Sequence, residues 1–165
     1  MPENTMKFRA LTRAHRALSR EDSLLLLRTE KRGVLSVLGD NGYPYGMPMN
    51  HWYNDADGCI YFHCGKQHSH RLDALRACPK VSFCVMEQGE ARDGGWALTV
   101  KSVVVFGEIT ILDDAALVAD ISRSLCHKFT QDEGYIQKEI QAFAHETLIL
   151  KLTPAHMSGK WVVES

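Results

Sequence analysis

The first half of the chain alternates apolar and polar residues in short runs, which is the pattern of β-strands. An apolar, β-branched run at 34–38 is followed by Asp40-Asn41-Gly42, a typical hairpin turn. In the next run every second residue is large, so one face of a second strand would carry Tyr45, Met47, Met49, His51 and Tyr53. A second turn at 55–58 leads into a third strand at 59–63. The pattern therefore predicts an antiparallel meander.

Helical spacing interrupts these strands. Ser19 begins a capping box that predicts a helix through 24–27, and Gly33 can supply the left-handed conformation that ends it. The other predicted helices cover residues 69–77, 114–127 and 134–144. Because these helices do not alternate regularly with the strands, we expect them to lie at the periphery of the sheet.

The second half of the chain contains the longest predicted strand, at 96–112, with Gly107 as a bulge. Shorter strands are predicted at 80–87 and 147–152. Consecutive hairpins of about six or seven strands indicate an α+β fold, mainly β, built as an antiparallel barrel with peripheral helices. Residues 1–18 are rich in Arg and are predicted to form an irregular or loosely helical N-terminal arm, followed by one domain at 19–165.

The composition is that of one soluble globular domain, since 45% of the 165 residues are hydrophobic and 24% are charged. The net charge of -1 disfavours nucleic acid and anionic membranes as partners. No apolar run approaches the roughly 20 residues that cross a bilayer, and no secretory signal is readable, so we expect a cytoplasmic protein. The five cysteines lack CxxC spacing, which indicates buried thiols rather than disulfides or a zinc ribbon.

The most informative segment for chemistry is 62–71, which joins a strand end to a helix start and contains three His, one Lys and one Arg. The free N–H groups of a first helical turn, the helix dipole and Arg71 would together bind a phosphate. Gly65 would let the backbone approach the ligand closely. The alternative is a solvated basic loop in which Ser69 only caps the helix.

The same segment offers two other chemistries, and the spacing disfavours both. His63, Cys64, His68 and His70 are ligand types for zinc or copper, but they do not follow HExxH or CxxC spacing. Cys64 beside His63 would suit a thiol–imidazole pair, but adjacent residues of a strand point to opposite faces. We therefore expect neither a metal site nor direct activation of the thiol.

The order of motifs along the chain resembles a known family. The motifs are Gly33 to Val37, Gly42 to Asn50, Ile60 to His63, His70 to Leu75, Lys80 to Phe83, Ser102 to Gly107 and His156 to Lys160. From about residue 20 onwards they resemble the pyridoxamine 5′-phosphate oxidase-like flavoproteins and, more narrowly, the nitroimidazole-resistance branch of that superfamily. The ordered set is far more specific than any one of its motifs.

The resemblance implies a split β-barrel that forms a homodimer and binds FMN between its subunits. It assigns the FMN phosphate to Arg71, with assistance from His70 and the backbone after Gly65. The implied contacts to the flavin ring are Pro48, Met49 and Asn50 on one strand and His63 and Cys64 on the next. Ser102 is expected to reach the flavin of the partner subunit, and Trp161 to cover the site.

The implied function is an FMN-dependent oxidoreductase that reduces small molecules, including nitroaromatic or nitroimidazole compounds. His63 is the one candidate proton donor or substrate contact, and its alternative is a core histidine satisfied by hydrogen bonds. The electrons would come from a donor such as NAD(P)H, for which no separate motif is visible. Two alternatives stay open: a flavin-binding or carrier module without turnover, and a related split barrel that binds haem or a deazaflavin.

Overall fold

The protein folds as a curled antiparallel sheet with four α-helices at its periphery, and the computed structural model describes residues 8–91 and 94–163. The strands are β1 (Arg32–Leu38), β2 (Pro44–Asn50), β3 (Trp52–Asn54), β4 (Cys59–Gly65), β5 (Lys80–Met86), β6 (Glu90–Ala91), β7 (Leu98–Leu112) and β8 (Thr147–Val163). The helices are α1 (Arg20–Thr29), α2 (His70–Ala77), α3 (Ala115–Cys126) and α4 (Glu133–Phe143). The predicted mainly β architecture is confirmed.

The sheet closes on itself because its two outermost strands are neighbours in the sequence. The strands pair in the order β2-β1-β5-β7-β8-β4-β3, and β6 pairs with β7. Every pairing is antiparallel. Only His51 separates β2 from β3, so the sheet must curl until its two ends meet at this residue. The result is a barrel in which β2 hydrogen-bonds to β1 and β3 to β4.

The barrel interior is filled by alternate residues of the strands, as the period-2 pattern predicts. On β2 and β3, Met47, Met49 and Tyr53 are buried together with His51, while Tyr45 is half-buried. The predicted face of this segment is therefore confirmed. The largest interior side chains include Leu35, Phe62, Phe83 and Leu150, and leucines of α1 and α2 join the same core.

The helix caps and the hairpin turn that the sequence predicts are present in the structure. Ser19 Oγ accepts a hydrogen bond from the Asp22 N–H at 3.0 Å, which caps α1. Ser69 caps α2 in the same way. In the β1–β2 hairpin, Asn41 and Gly42 adopt φ of 56° and 75°, the left-handed region that an Asn-Gly pair favours.

The predicted role of Gly33 as a helix stop is wrong. Helix α1 ends at Thr29, and Glu30 is extended with φ of -70° and ψ of 133°, while Gly33 lies inside β1. The glycine is needed for a different reason, since a Cβ at this position would lie 2.5 Å from Cζ of Phe83. It makes room for an aromatic ring of the core rather than ending a helix.

The last strand is longer than the predicted 147–152 segment, because β8 continues past Pro154 to Val163. The register shifts between Phe106, which faces His156, and Gly107, which faces Pro154. The ladder is therefore irregular beside Gly107, as predicted, but the extra residue is Ala155 on β8 rather than Gly107 itself. A proline has no N–H to donate and is tolerated where the ladder is already interrupted, so β8 continues through Pro154.

Replacing Gly107 by alanine should destabilise the barrel, because the added Cβ would overlap the carbonyl oxygen of Thr153 on β8. We expect a loss of about 1–3 kcal/mol in the free energy of unfolding, measured by urea denaturation. Gly134→Ala on α4 is the matched control, since its Cβ meets only a side-chain oxygen of Asp132 at 3.4 Å. An unchanged urea midpoint for the Gly107 variant would show that the bulge tolerates a side chain.

A buried polar cluster holds the end of α1 against the junction of β2 and β3. His51 is fully buried, and its Nε2 lies 3.0 Å from the Leu27 carbonyl oxygen. Because a carbonyl only accepts, Nε2 carries the proton and donates. Lys128 Nζ donates to the same carbonyl at 3.2 Å and to the Glu30 carbonyl at 2.5 Å. Two donors therefore satisfy carbonyls at the helix end.

Burial sets the protonation states of this cluster. It lowers the pKa of His51 to about 3, and the nearby charge of Lys128 acts in the same direction. Burial also lowers the pKa of Lys128 to about 8, although Glu30 partly opposes this shift. At pH 7, Lys128 is therefore charged while His51 is neutral.

The N-terminal arm, in its described residues 8–18, lies along the end of β8. The Leu18 N–H donates to the Gly159 carbonyl at 2.9 Å, and Ala17 forms a bridge with Lys160. A short 3-10 turn covers Ala14–Arg16. Residues 1–7 of the predicted arm lie outside the described residues.

No helix in the described part of the chain combines the length and the apolar character needed to cross a membrane. The five cysteines are free thiols, two of them buried and three half-buried.

Candidate functional site

Arg71 lies in the first turn of α2, just after β4 ends, and is half-buried. Its Nη1 lies 3.9 Å from Sδ of Met49 on β2, a weak contact. Its Nε is buried and has no hydrogen-bond partner among the described residues. A buried guanidinium N–H without a partner is costly, so this atom indicates that a ligand completes the site.

The two adjacent residues of β4 that were candidate ligand contacts point in opposite directions. Cys64 faces the barrel interior with Met49, whereas Cys59 and Tyr61, which alternate with it, pack against α3. His63 faces the same side as Tyr61, towards the helices. Burial raises the pKa of the Cys64 thiol, and Arg71 opposes that shift. The two side chains therefore do not form a thiol–imidazole pair, as the strand geometry predicted.

His63 lines a cavity of about 230 Å³ between β4, α3 and α4. The other lining residues are Ser122, Leu125, Cys126, Glu139, Ile140, Phe143, Ala144 and Thr147. Although part of the ring is exposed, burial lowers the pKa of His63, and the charge of Arg71 lowers it further. At neutral pH the imidazole is therefore neutral and offers one N–H donor and one acceptor.

His70, which is expected to assist at the phosphate, contacts the β1–β2 hairpin. Its ring stacks on Tyr45, with centroids 4.4 Å apart, and its Nε2 accepts a hydrogen bond from the Asp40 N–H at 3.1 Å. These contacts tie the start of α2 to the β1–β2 hairpin. Gly65 ends β4 with no atom within 4 Å of an added Cβ, so the backbone there is open to a ligand. The expected roles of His70 and Gly65 in binding a phosphate stay predictions.

The strand that carries Pro48, Met49 and Asn50 lies at the end of the pairing order, bonded to β1 alone. A proline has no N–H to donate, so it is found on edge strands, where one side of the backbone has no neighbouring strand. The position of Pro48 agrees with the edge strand that the sequence predicts. Arg32 Nε donates to Asn50 Oδ1 at 3.1 Å and fixes that side chain. The other edge of β2 leaves backbone groups available to a ligand.

Ser102 and Trp161 lie in another part of the same chain. Ser102 on β7 faces Met86 and Lys160 across the sheet, and β1 and β5 separate its strand from β2. Trp161 on β8 pairs with Lys101, and the Arg16 guanidinium lies 5.5 Å from its ring centroid. One chain therefore brings Met49, Cys64 and Arg71 together but not these two residues, whose contribution from a partner subunit stays a prediction.

Among residues 8–91 and 94–163, no group of three His, Cys, Asp or Glu side chains is arranged to hold a metal ion. One of the candidate metal ligands, His68, lies instead 2.8 Å from the carboxylate of Asp73.

The family model described as pyridoxamine 5′-phosphate oxidase matches residues 19–161. The chain belongs to the pyridoxamine 5′-phosphate oxidase family. This confirms the resemblance drawn from the ordered motifs, and it shows that the protein is a member of a flavin-binding split-barrel family. No curated protein matches the sequence.

Solved structures support the fold of this oxidase-family member. A Bacteroides thetaiotaomicron protein named for a proposed role in 5-nitroimidazole antibiotic resistance superposes with a TM-score of 0.74 at 14% identity, over 90% of this chain and 87% of that one. A FAD-binding protein from Mesorhizobium loti gives 0.65 at 26% identity, over 89% and 97%. The FAD-binding protein from Mycobacterium smegmatis gives 0.63 at 16% identity, over 90% and 99%.

Sequence reasoning missed the wall that α3 and α4 build opposite His63. Cys126 and Glu139 belong to these helices, and burial followed by the charge of Glu139 raises the pKa of the Cys126 thiol. The apolar spacing of α3 gave a signal that one face is buried, since Val118, Ile121 and Leu125 fall on it. That spacing cannot say which strand the face covers, because the partner strand β4 lies far away in the sequence.

Proposed function

We propose that this protein is a flavin-dependent oxidoreductase that uses FMN and reduces small organic molecules, with nitroaromatic compounds as the substrate class. The observation that carries the proposal is the buried Nε of Arg71 at the start of α2, which has no hydrogen-bond partner in the part of the chain that the structure describes. It lies beside an edge strand whose backbone is free to contact a ring. A phosphate and a planar polar ring are the two parts of FMN that these groups would bind.

The residues present fit a phosphate monoester. The first turn of α2 offers backbone N–H groups at the positive end of the helix dipole. Arg71 adds a planar, permanently charged guanidinium group. One arginine at one helix start suits the single terminal phosphate of FMN. This supports FMN over FAD, in which the same phosphate is part of a diphosphate linked to a second nucleotide.

When bound, a flavin supplies the electron and hydride transfer. The chain contributes position and environment: Arg71 anchors the phosphate, and the β2 backbone orients the ring edge. His63, neutral at pH 7, offers one hydrogen-bond donor at the mouth of the α3–α4 cavity. Leu125, Ile140 and Phe143 give that cavity an apolar wall.

The size of the cavity supports a small substrate. Its volume of about 230 Å³ is below the range of about 300–1,000 Å³ that is typical of drug-sized ligand pockets. A flat ring would stack on Phe143 while one of its polar substituents accepts a hydrogen bond from His63. This is the chemistry of a small nitroaromatic compound, which combines an apolar ring with oxygen acceptors.

We propose further that the protein is a homodimer, with the outward face of four strands as its interface. Arg32, Lys80 and Glu108 lie at the ends of this face, and its central residues carry no charge. The uncharged residues are Pro44, Gly46 and Pro48 on β2, Val34, Ser36 and Leu38 on β1, Ser82, Cys84 and Met86 on β5, and Ser102, Val104 and Phe106 on β7. Several are unusually exposed for large apolar side chains, including Met86 at 61%. A continuous uncharged sheet face is a typical interface between subunits.

Val34→Lys should convert the dimer into a monomer, because it places a charge in the middle of that face. Light scattering at micromolar concentration should give twice the chain mass of 18.6 kDa for the unmodified protein and the chain mass for the variant. Leu25→Lys on α1 is the control, since Leu25 is similarly exposed but lies outside the face. A monomeric unmodified protein would contradict the proposal.

The function is tested by absorbance in one anaerobic cuvette. FMN is added to the purified protein, followed by NADH or NADPH and then by a nitroaromatic acceptor. Flavin bands that bleach with the donor and return with the acceptor are expected. Bound flavin that never cycles would instead favour a carrier module, and a Soret or deazaflavin band would favour the related split barrels. Failure to bind any chromophore would contradict all three functions.

A further inference from the structure

The N-terminal arm is strongly basic, and the proposed function makes no use of it. Between Phe8 and Arg20 the sequence contains Arg9, Arg13 and Arg16 as well as Arg20 itself, and no Asp or Glu. The whole chain carries a net charge of only -1, so this segment is much more basic than the rest of the molecule. Its positive charge is concentrated where the arm meets β8.

The arm and the end of β8 enclose a cavity of about 310 Å³ with a cationic lining. Its walls are Leu11, Thr12, Arg13, Arg16, Lys160 and Val162. Three of these six side chains are permanently or normally cationic, and none is a carboxylate. Within the described ranges, none of the three cations lies in an ion pair. Their charges are therefore left for a ligand or for solvent.

Arg16 is the residue that distinguishes this cavity from a solvated basic surface. Its guanidinium lies 5.5 Å from the Trp161 ring centroid, a cation–π contact that holds the side chain against β8. Its Nε is buried and, among the described residues, has no hydrogen-bond partner. A fixed arginine with an unsatisfied N–H is preorganised for an oxyanion.

The backbone of the arm is held in place beside the cavity. The Arg16 N–H donates to the Arg13 carbonyl at 2.9 Å, which closes the 3-10 turn. The Ala17–Lys160 bridge and the bond from Leu18 to Gly159 then attach the arm to β8. The cationic groups of the arm and of the strand are thus kept on either side of one concave space.

We propose that this cavity binds the phosphate group of a small phosphorylated ligand, at a site separate from the Arg71 site. The concave shape favours a compact phosphate or diphosphate over an extended polyanion. Arg9 and Arg20 line other cavities, so they do not lengthen this one into a basic groove. If the proposed reductase function holds, a pyridine-nucleotide electron donor has this chemistry, but the site itself does not depend on that function.

Calorimetric titration of the full-length flavin-loaded protein tests the inference with three probes: inorganic pyrophosphate, NADPH and NADH. We expect pyrophosphate to bind and each of Arg16→Gln and Lys160→Gln to weaken it about tenfold or more. Lys160 is exposed, so its variant keeps the test valid if Arg16→Gln fails to fold. Tighter binding of NADPH than NADH would identify the nucleotide's extra phosphate as the bound group. Binding of pyrophosphate without either nucleotide would identify a smaller ligand.

Arg9→Gln is the matched control, because it removes the same charge from the same arm outside the cavity. Its affinity for pyrophosphate should stay within about twofold of the unmodified protein. Equal weakening by Arg9→Gln and Arg16→Gln would overturn the inference, since it would indicate only a general basic surface. Absence of binding by all three probes, or preferential binding of a DNA duplex, would overturn it as well.

Arg71→Gln separates this inference from the proposed function. If the sites are distinct, this variant loses flavin affinity but keeps pyrophosphate affinity. Pyrophosphate binding that is lost in Arg71→Gln and kept in Arg16→Gln would place the phosphate at the start of α2. That result would overturn the inference and leave the proposed function intact.

Discussion

Replacing Arg71 by glutamine will weaken FMN binding by about ten- to a hundredfold. The guanidinium lies at the start of α2 with a buried Nε that has no partner in the described structure, and it is the group that we propose anchors the FMN phosphate. Each charge-assisted hydrogen bond contributes about 1.5–3 kcal/mol, and each 1.4 kcal/mol corresponds to about tenfold in affinity. The dissociation constant is measured by quenching of flavin fluorescence on titration of the apoprotein.

Two further variants make this measurement specific. Arg71→Lys keeps the charge but loses the planar fork, so we expect an intermediate loss of affinity. Arg76→Gln removes an arginine from the other end of the same helix, where it lies 3.6 Å from Asp73 and faces solvent. Its flavin affinity should be unchanged. Equal affinities for the Arg71 and Arg76 variants would place the phosphate elsewhere.

Acid will destabilise the protein through His51. The unfolded chain binds a proton at this residue below pH about 6.5, whereas the folded protein does so only near pH 3. Across that window the unfolded state binds more protons, so stability falls as the pH falls. His51 alone should cost about 2 kcal/mol between pH 7 and pH 5, and about 4 kcal/mol by pH 3.5.

The contribution of His51 is isolated by comparing urea unfolding of the protein and of His51→Gln at pH 7 and pH 5. A glutamine side chain can still donate to the Leu27 carbonyl but does not titrate in this range. We expect the variant to lose about 2 kcal/mol less between the two pH values. The control, His145→Gln, removes an exposed histidine and should follow the unmodified protein. An identical pH dependence for both variants would show that His51 does not titrate on unfolding.

Local features of the fold were predictable because their causes lie within a few residues. The cap at Ser19, the turn at Asn41 and Gly42 and the alternation of residues 45–53 each depend on neighbours in the chain. The irregularity beside Gly107 was predictable for a similar reason, since a glycine inside a long apolar strand marks either a bulge or the close approach of another backbone. The resemblance to the oxidase family then predicted how these local elements are arranged in a split β-barrel.

Features that depend on distant residues were not predictable in the same way. Gly33 looked like a helix stop because its requirement for space comes from Phe83, on a strand much later in the chain. The extension of β8 past residue 152 was missed because the interruption that accommodates Pro154 depends on the register between β7 and β8. Helices α3 and α4 form the cavity wall opposite His63, and the sequence of β4 does not predict which helices cover it. The basic residues of the arm were visible in the sequence, but their convergence on Lys160 was not.

The pairing of β4 with β8 has a consequence for how a nascent chain acquires this structure. Gly65 pairs with Thr147 and Ile60 with Leu152, so β4 leaves the ribosome long before its partner has been made. Translation proceeds at roughly 5–20 residues per second, which leaves an apolar strand edge uncovered for seconds. Such an edge is a template for aggregation and a target for chaperones. Barrel closure must therefore be a late event that follows synthesis of β8, and chaperone demand should be greatest before that strand emerges.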